Sequence, residues 1–375
     1  MHPLSGSNMR TLLRALGENP GLSRKGRAEA ALALAATLAR WPFTVSEKLY
    51  VTHRLRRAGP MPPPIFIVGH WRSGTTHLYN IMSKAGFGFV EPLAAGMPWD
   101  LLGLVRAARP LLERKLPADR FIDSIPVTPD SPQEDEVAIA NMTRMSFYHA
   151  LYFPHSFEHH FNRGVFFDGC SEEDIEEWRH AFVYFLRKVW LQQGRRRLLI
   201  KNPVYTARVA MLREIFPGAK FIHVFRNPYE VLQSMQNFYE KLLRQFALQD
   251  YDALPIDRVI LKTYSRMMAR LIQETEHLPD DEFIEIRYEK LERDPLAEIQ
   301  RVYEAFDLPG FAAARPACES YLASIRTYKK NRYAFSEKNL ALVEREWGCF
   351  LDRWQYQRPT AASSERTDRP PASAC

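Results

Sequence analysis

A chain of 375 residues that is 46% hydrophobic and 25% charged has an ordinary globular composition, long enough for one large domain or two small ones. Its formal charge of +7, from 51 Lys+Arg against 44 Asp+Glu, is too mild for a nucleic-acid-coating surface and fits an anionic ligand held in one local site. Cys170, Cys318, Cys349 and Cys375 match no metal-binding or CxxC spacing, which points to reduced thiols and a cytoplasmic setting.

In chain order, the start "MHPLSGSNMRTLLRALGENPG" has no compact apolar run ending in a cleavage site. Residues 1–57 read as helical and Ala-rich; their most apolar run, 30–39, is too short to span a bilayer, so no transmembrane segment is expected. The sequon Asn141-Met142-Thr143 then lacks a secretory context. "AGPMPPP" (58–64) is a stiff linker that stops helix and feeds extended chain. Strand signals follow at 65–69, 197–202, 220–226 and 282–288, with a weaker one at 87–92. They are short, apolar on both faces and separated by helical stretches at 75–86, 133–145, 171–193, 205–216, 229–247, 257–277, 294–306 and 336–353. That is the pattern of buried parallel strands joined by crossover helices. The expected fold is α/β, a three-layer arrangement with a central, mostly parallel sheet flanked by helices. A helical N-terminal extension (1–60) precedes the domain (61–357), and 358–375, rich in Pro, Ser and Ala, reads as a disordered tail.

The loop after the first strand signal, "VGHWRSGTTH", is built like a phosphate-binding P-loop. Gly69 and Gly74 stand five apart and a helix begins at Thr75, but the slot for the P-loop lysine holds Thr75 and the cation is Arg72, inside the loop. Backbone N–H groups at such a strand–helix turn form an anion nest, and the helix N-terminus adds partial positive charge. Ser73, Thr75 and Thr76 add hydroxyl donors, more than a plain turn needs.

"VGHWRSGTTHLYNIM" together with "FIHVFRNPYEVLQSM" resembles the sulfotransferases that use 3′-phosphoadenosine 5′-phosphosulfate (PAPS). The first stretch is similar to their 5′-phosphosulfate loop, with the [KR]-S-G-T-[TS] core as Arg72, Ser73, Gly74, Thr75 and Thr76. The second is similar to their 3′-phosphate motif, an Arg at a strand end followed by a Ser within the next helix: here Arg226 and Ser234. The resemblance covers about residues 64–356. It implies a P-loop NTPase-like fold, PAPS as co-substrate and no metal. Arg72 would meet the charge that builds on the oxygen bridging phosphate and sulfuryl group as the S–O bond breaks. The same resemblance puts Tyr288 near the adenine, and Lys329, with Lys330 and Arg332, in a basic loop over the 3′-phosphate.

The match breaks at acceptor activation. One branch reads Lys-Thr-His at a strand end, with the His as base; here the stretch is Lys201-Asn202-Pro203, so the Lys that steadies the sulfuryl group remains and the base does not. A second branch uses a Glu about twenty residues past the phosphosulfate loop, which makes Glu91 the first candidate. Glu134, in "SPQEDE", is the rival, and a histidine such as His149 or His155 the third choice. The aromatic run 146–167 either lines an acceptor pocket or is core; its His155/His159 pair lacks a third metal ligand. The expected acceptor is a partly apolar hydroxyl or amine compound, whether small molecule, lipid or glycan. A P-loop kinase would need a Walker lysine and a Mg²⁺-holding Asp at a strand end, and neither is visible; a non-catalytic nucleotide-binding homologue is the other alternative.

Overall fold

The structure, a computed structural model, describes residues 1–114, 128–251, 254–326 and 335–359. Four strands form one parallel sheet: β1 (Ile65–Val68), β2 (Leu199–Lys201), β3 (Lys220–Phe225) and β4 (Phe283–Arg287), in the order β2-β1-β3-β4. β1 is central, with Ile67 opposite Lys201 on one side and Ile222 on the other. Its residues alternate between two cores, as the two-residue period of a strand requires. Phe66 and Val68 point into a core with Phe182, Tyr205 and Phe216; Ile65 and Ile67 point into another with Leu78, Ile81, Ile299 and Val302. Helices therefore cover both faces, which gives the three-layer α/β architecture.

Most of the long helices fall where the periodicity places them: Glu172–Gln192, Pro228–Phe246, Ile256–Thr275, Pro295–Ala305 and Glu337–Trp354. Side chains cap the first two of these starts. Ser171 and Asp174 form a reciprocal capping box, and Asn227 caps a helix whose first residue is Pro228. The weak strand expected at 87–92 does not form. Only Gly88 pairs with the sheet, bridging Leu198, and the chain turns into a short helix, Pro92–Gly96, with Glu91 as its N-cap residue. Gly86 precedes the run, Gly88 interrupts it, and Pro92 has no N–H to give a ladder. The aromatic run 146–167 folds as two helices, Tyr148–Tyr152 and Phe157–Phe166, with Phe147, Tyr152, Phe153, Phe157 and Phe161 buried in the core. The expected basic loop at Lys329, Lys330 and Arg332, and all of the expected tail but its first two residues, lie outside the described residues.

The N-terminal helices, Met9–Glu18 and Arg24–Arg57, pack onto the same core as the sheet, to which Leu4, Leu12, Ala15 and Ala33 contribute. A fully buried ion pair fastens the longer one. Glu47 lies 2.5 Å from Lys188, on the Glu172–Gln192 helix, and accepts from the N–H groups of Leu102 (3.0 Å) and Gly103 (2.7 Å). Lys188 also donates to the carbonyl of Pro98 at 2.6 Å, and burial pulls its pKa down. Removing one member leaves the other charge buried and alone, so Glu47→Ala should destabilise the protein by about 3–5 kcal/mol in urea unfolding. A change below about 1 kcal/mol would show that water reaches Lys188 and that the helix is only loosely attached.

Candidate active site

Because all four strands run in parallel, the residues that follow them gather along one edge. Gly69 follows β1, Asn202 follows β2, Arg226 follows β3 and Tyr288 follows β4. The loop after β1 is tightly specified. Gly69 (φ 141°) packs so close to β3 that a Cβ would sit 2.3 Å from the carbonyl oxygen of Val224, and its N–H donates to the Thr206 hydroxyl at 2.8 Å. Gly74 (φ 95°) abuts the Tyr288 ring, which a Cβ would meet at 2.0 Å. Between them Arg72 adopts φ 69°, a left-handed conformation that costs a non-glycine residue free energy and aims its side chain.

That side chain joins the two sequence motifs. Arg72 Nε donates to Ser234 Oγ at 2.8 Å. Arg226 reaches the Arg72 carbonyl at 3.5 Å, pairs with Glu230 and lays its guanidinium 4.6 Å from the centre of the Tyr288 ring. The Arg226 Nε is buried without a partner, a donor position that an anion would satisfy. The Ser73 hydroxyl donates to the His70 carbonyl at 2.7 Å and closes the turn. His70 is enclosed, with Nδ1 2.9 Å from the Trp71 carbonyl, and burial lowers its pKa to about 4, so its ring is neutral.

A second constellation flanks the loop. Lys201 donates to the Thr76 hydroxyl at 3.1 Å and forms an ion pair with Glu134. Glu91 stands apart from it. Its carboxylate accepts from Arg109, Gln192 and Gln193, each at 3.0 Å. The segments that carry the two glutamates are nevertheless joined, because the N–H of Gln133 donates to the Val90 carbonyl at 2.8 Å. His149 is buried with Nε2 2.9 Å from the Ala140 carbonyl and Nδ1 3.2 Å from that of Arg144, and His155 is exposed on the far side of a turn in the aromatic run.

Beneath this pair lie residues that the sequence pattern does not single out. Asp135 and Glu136 are both buried, and a single amide, Asn202 Nδ2, donates to each, at 2.9 and 2.7 Å. Tyr205 donates its hydroxyl to Asp135, and Ser146 its own to Glu136 at 2.6 Å. The buried Arg208 guanidinium lies between the rings of Phe167 and Trp178, at 3.9 and 4.7 Å, and its charge opposes that of Glu136. "EDE" reads as a charge cluster at a helix start, where the dipole welcomes acids anyway. The available signal was its polar counterpart, Asn202, directly after Lys201.

The sequence profile of the sulfotransferase family matches residues 63–313. The chain belongs to the sulfotransferase family. It is 30% identical over 318 residues to the omega-hydroxy-beta-dihydromenaquinone-9 sulfotransferase Stf3 of Mycobacterium bovis and of Mycobacterium tuberculosis, an alignment that covers 84% of this chain and 80% of each relative. Among solved structures it is similar to sulfotransferase STF9 of Mycobacterium avium (TM-score 0.67, 16% identity, 91% of this chain and 89% of that one). It is also similar to sulfotransferase STF1 of Mycobacterium tuberculosis (TM-score 0.62, 18% identity, 90% of both chains). These two likenesses carry the fold. In this sulfotransferase the glycine-flanked loop, Arg226 and Lys201 all stand within the matched segment.

Burial raises the Asp135 pKa to about 7, against the pull of the Tyr205 and Asn202 hydrogen bonds. Between about pH 4 and pH 7 the folded protein then holds a proton that the unfolded chain has released. Stability should fall as pH rises through that window, by at most about 1.4 kcal/mol per unit, and level off above it. Asp135→Asn, with no proton to lose, should lack this component, and urea unfolding of both proteins across the window tests it. Parallel curves for the two would place the titration elsewhere.

Proposed function

We infer that this chain transfers a sulfuryl group from PAPS to a hydroxyl, or an amine, of a partly apolar, lipid-like acceptor. The hydrogen bond from Arg72 to Ser234 carries this reading, because it closes a loop rich in N–H donors onto a second cation, Arg226, 154 residues away. A nucleotide with phosphate groups at both its 3′ and 5′ positions needs two such anion sites side by side. The partnerless Arg226 Nε fits a 3′-phosphate, and the Tyr288 ring against Gly74 fits a neighbour of the adenine. Support for the acceptor class comes from Stf3, whose name gives a hydroxylated menaquinone derivative as what it acts on.

Each residue has a defined task in an in-line transfer. Arg72 holds the oxygen that bridges phosphorus and sulfur and takes up its growing charge, with a fork that can grip two oxygens. Glu134 accepts the proton of the acceptor hydroxyl as that oxygen attacks sulfur. The new S–O bond forms while the bridging S–O bond breaks, and the desulfated bisphosphate keeps the bond's electrons. Lys201, beside both Thr76 and Glu134, steadies the sulfuryl oxygens in passage. We prefer Glu134 to Glu91 because Glu134 is partly exposed and next to Lys201, whereas three donors already claim the Glu91 carboxylate.

Thermal unfolding with 3′-phosphoadenosine 5′-phosphate tests the donor assignment. At 100-fold above Kd the ligand should add about 3 kcal/mol, and ATP·Mg²⁺ should add none. Arg226→Ala should weaken that bisphosphate by about 1.5–3 kcal/mol per lost contact and leave adenosine 5′-phosphosulfate nearly unaffected. Equal losses for both ligands would make Arg226 a structural residue.

The base is separable by two isosteric changes. Glu134→Gln should cut turnover of PAPS by about 100-fold or more while nucleotide binding persists. Glu91→Gln, which keeps the hydrogen bonds from Gln192 or Gln193 available, should retain most turnover. The reverse pattern would return the role to Glu91.

A further inference from the structure

We propose that the outward face of the Arg24–Arg57 helix docks on an anionic lipid bilayer. The inward face of this helix is accounted for, with Ala30, Ala33, Thr37, Glu47, Val51 and Leu55 buried. The outward face is not polar, as an exposed helix face ordinarily is. Leu32, Leu38, Phe43, Val45, Leu49 and Tyr50 are all exposed there; Leu49 is 71% and Leu38 61% accessible. At about 100° per residue these six fall within roughly 160° of arc, one continuous apolar stripe with Trp41 at its margin. No described helix is long and apolar enough to cross a membrane.

Charge selects the occupant. Arg24, Lys25 and Arg27 are exposed at one end of the stripe and Arg54, Arg56 and Arg57 at the other. The helix has just two acids, and neither offers a free charge on this face: Glu47 is buried against Lys188, and Glu29 is half-buried and accepts from the His2 N–H at 3.1 Å. A second copy of this chain is a poor occupant. Antiparallel pairing sets one arginine cluster against the other, and parallel pairing sets each cluster against itself. An anionic bilayer answers both features at once, with acyl chains for the stripe and headgroups for the two clusters, which lie about 40 Å apart along the helix axis.

The docking does not rest on the sulfotransfer reading, but it bears on it. The last turns of this helix border a cavity of about 360 Å³, lined by Tyr50, Arg54, Leu102, Val105, Arg109 and Gln192 among others. Arg109 and Gln192 are two of the three residues that hold Glu91, and Val90 is bonded to Gln133, next to Glu134. A lipid-like acceptor leaving the bilayer would thus have an opening beside the docked face.

Co-sedimentation of the full chain with vesicles is the test. Vesicles containing about 30 mol % phosphatidylglycerol in phosphatidylcholine should bind at least about tenfold more protein than phosphatidylcholine alone, and less as salt is raised. Leu38→Glu/Leu49→Glu and, separately, Arg56→Glu/Arg57→Glu should each reduce that binding by about tenfold or more, with thermal midpoints unchanged because these side chains are exposed. Equal binding to both vesicle types, or binding that survives both double variants, would overturn the proposal. So would absence of vesicle binding together with a dimer in analytical ultracentrifugation that Leu38→Glu/Leu49→Glu dissociates. Failure here would leave the response to 3′-phosphoadenosine 5′-phosphate intact, so the two readings fall separately.

Discussion

The arrangement of the site hangs on one side-chain amide. Asn202 Nδ2 donates to Asp135 and to Glu136, and the residues that precede these, Lys201 and Glu134, are thereby brought face to face. Two buried acids side by side are costly unless hydrogen-bonded. Here Asn202, Tyr205 and Ser146 supply donors, and Arg208 supplies compensating charge from the other side. The Asn202–Asp135 bond spans 67 residues of chain and ties the start of the Glu136–Met142 helix to the end of β2. Polar groups enclosed this fully have few alternative arrangements, which makes the position of the Lys201–Glu134 pair rigid rather than adjustable.

The phosphate loop obtains its rigidity differently, through crowding. Gly69 lies against the Val224 carbonyl and Gly74 against Tyr288, so each is a place where another element comes closer than a side chain would permit. The left-handed Arg72 stores strain at the centre of this loop, and its hydrogen bond to Ser234 holds the result in place. Two different devices, a polar network beneath β2 and a close-packed turn after β1, thus deliver cations to the same edge of one parallel sheet.

The long helix of the N-terminal segment presents two unlike faces. Its inner side joins the protein core and is locked by the Glu47–Lys188 pair, while its outer side keeps apolar side chains and cations exposed. A segment expected from sequence to be an extension in front of the domain is in contact with it over much of its length; Leu4 and Leu12 are as deeply buried as the strands.

Local chemistry was legible from the residues alone. Short β-branched and aromatic runs separated by amphipathic stretches announced buried parallel strands, and Asn227-Pro228 announced a helix start. The family resemblance, carried by Arg72 to Thr76 with Arg226 and Ser234, extended that to the proposed nucleotide site, although Ser234 lies within a helix where spacing by itself says nothing. The strand expected at 87–92 does not form because Gly88 interrupts its apolar pattern and Pro92 ends it. What tertiary structure alone decided was which carboxylate stands beside Lys201. Glu91 and Glu134 are equally plausible acids in one dimension. Their surroundings differ because Gln192 and Gln193 arrive from a helix about a hundred residues downstream to claim the first, while β2 brings Lys201 to the second. Burial and hydrogen-bond partners are set by contacts between distant segments, and no local pattern of residue types encodes them.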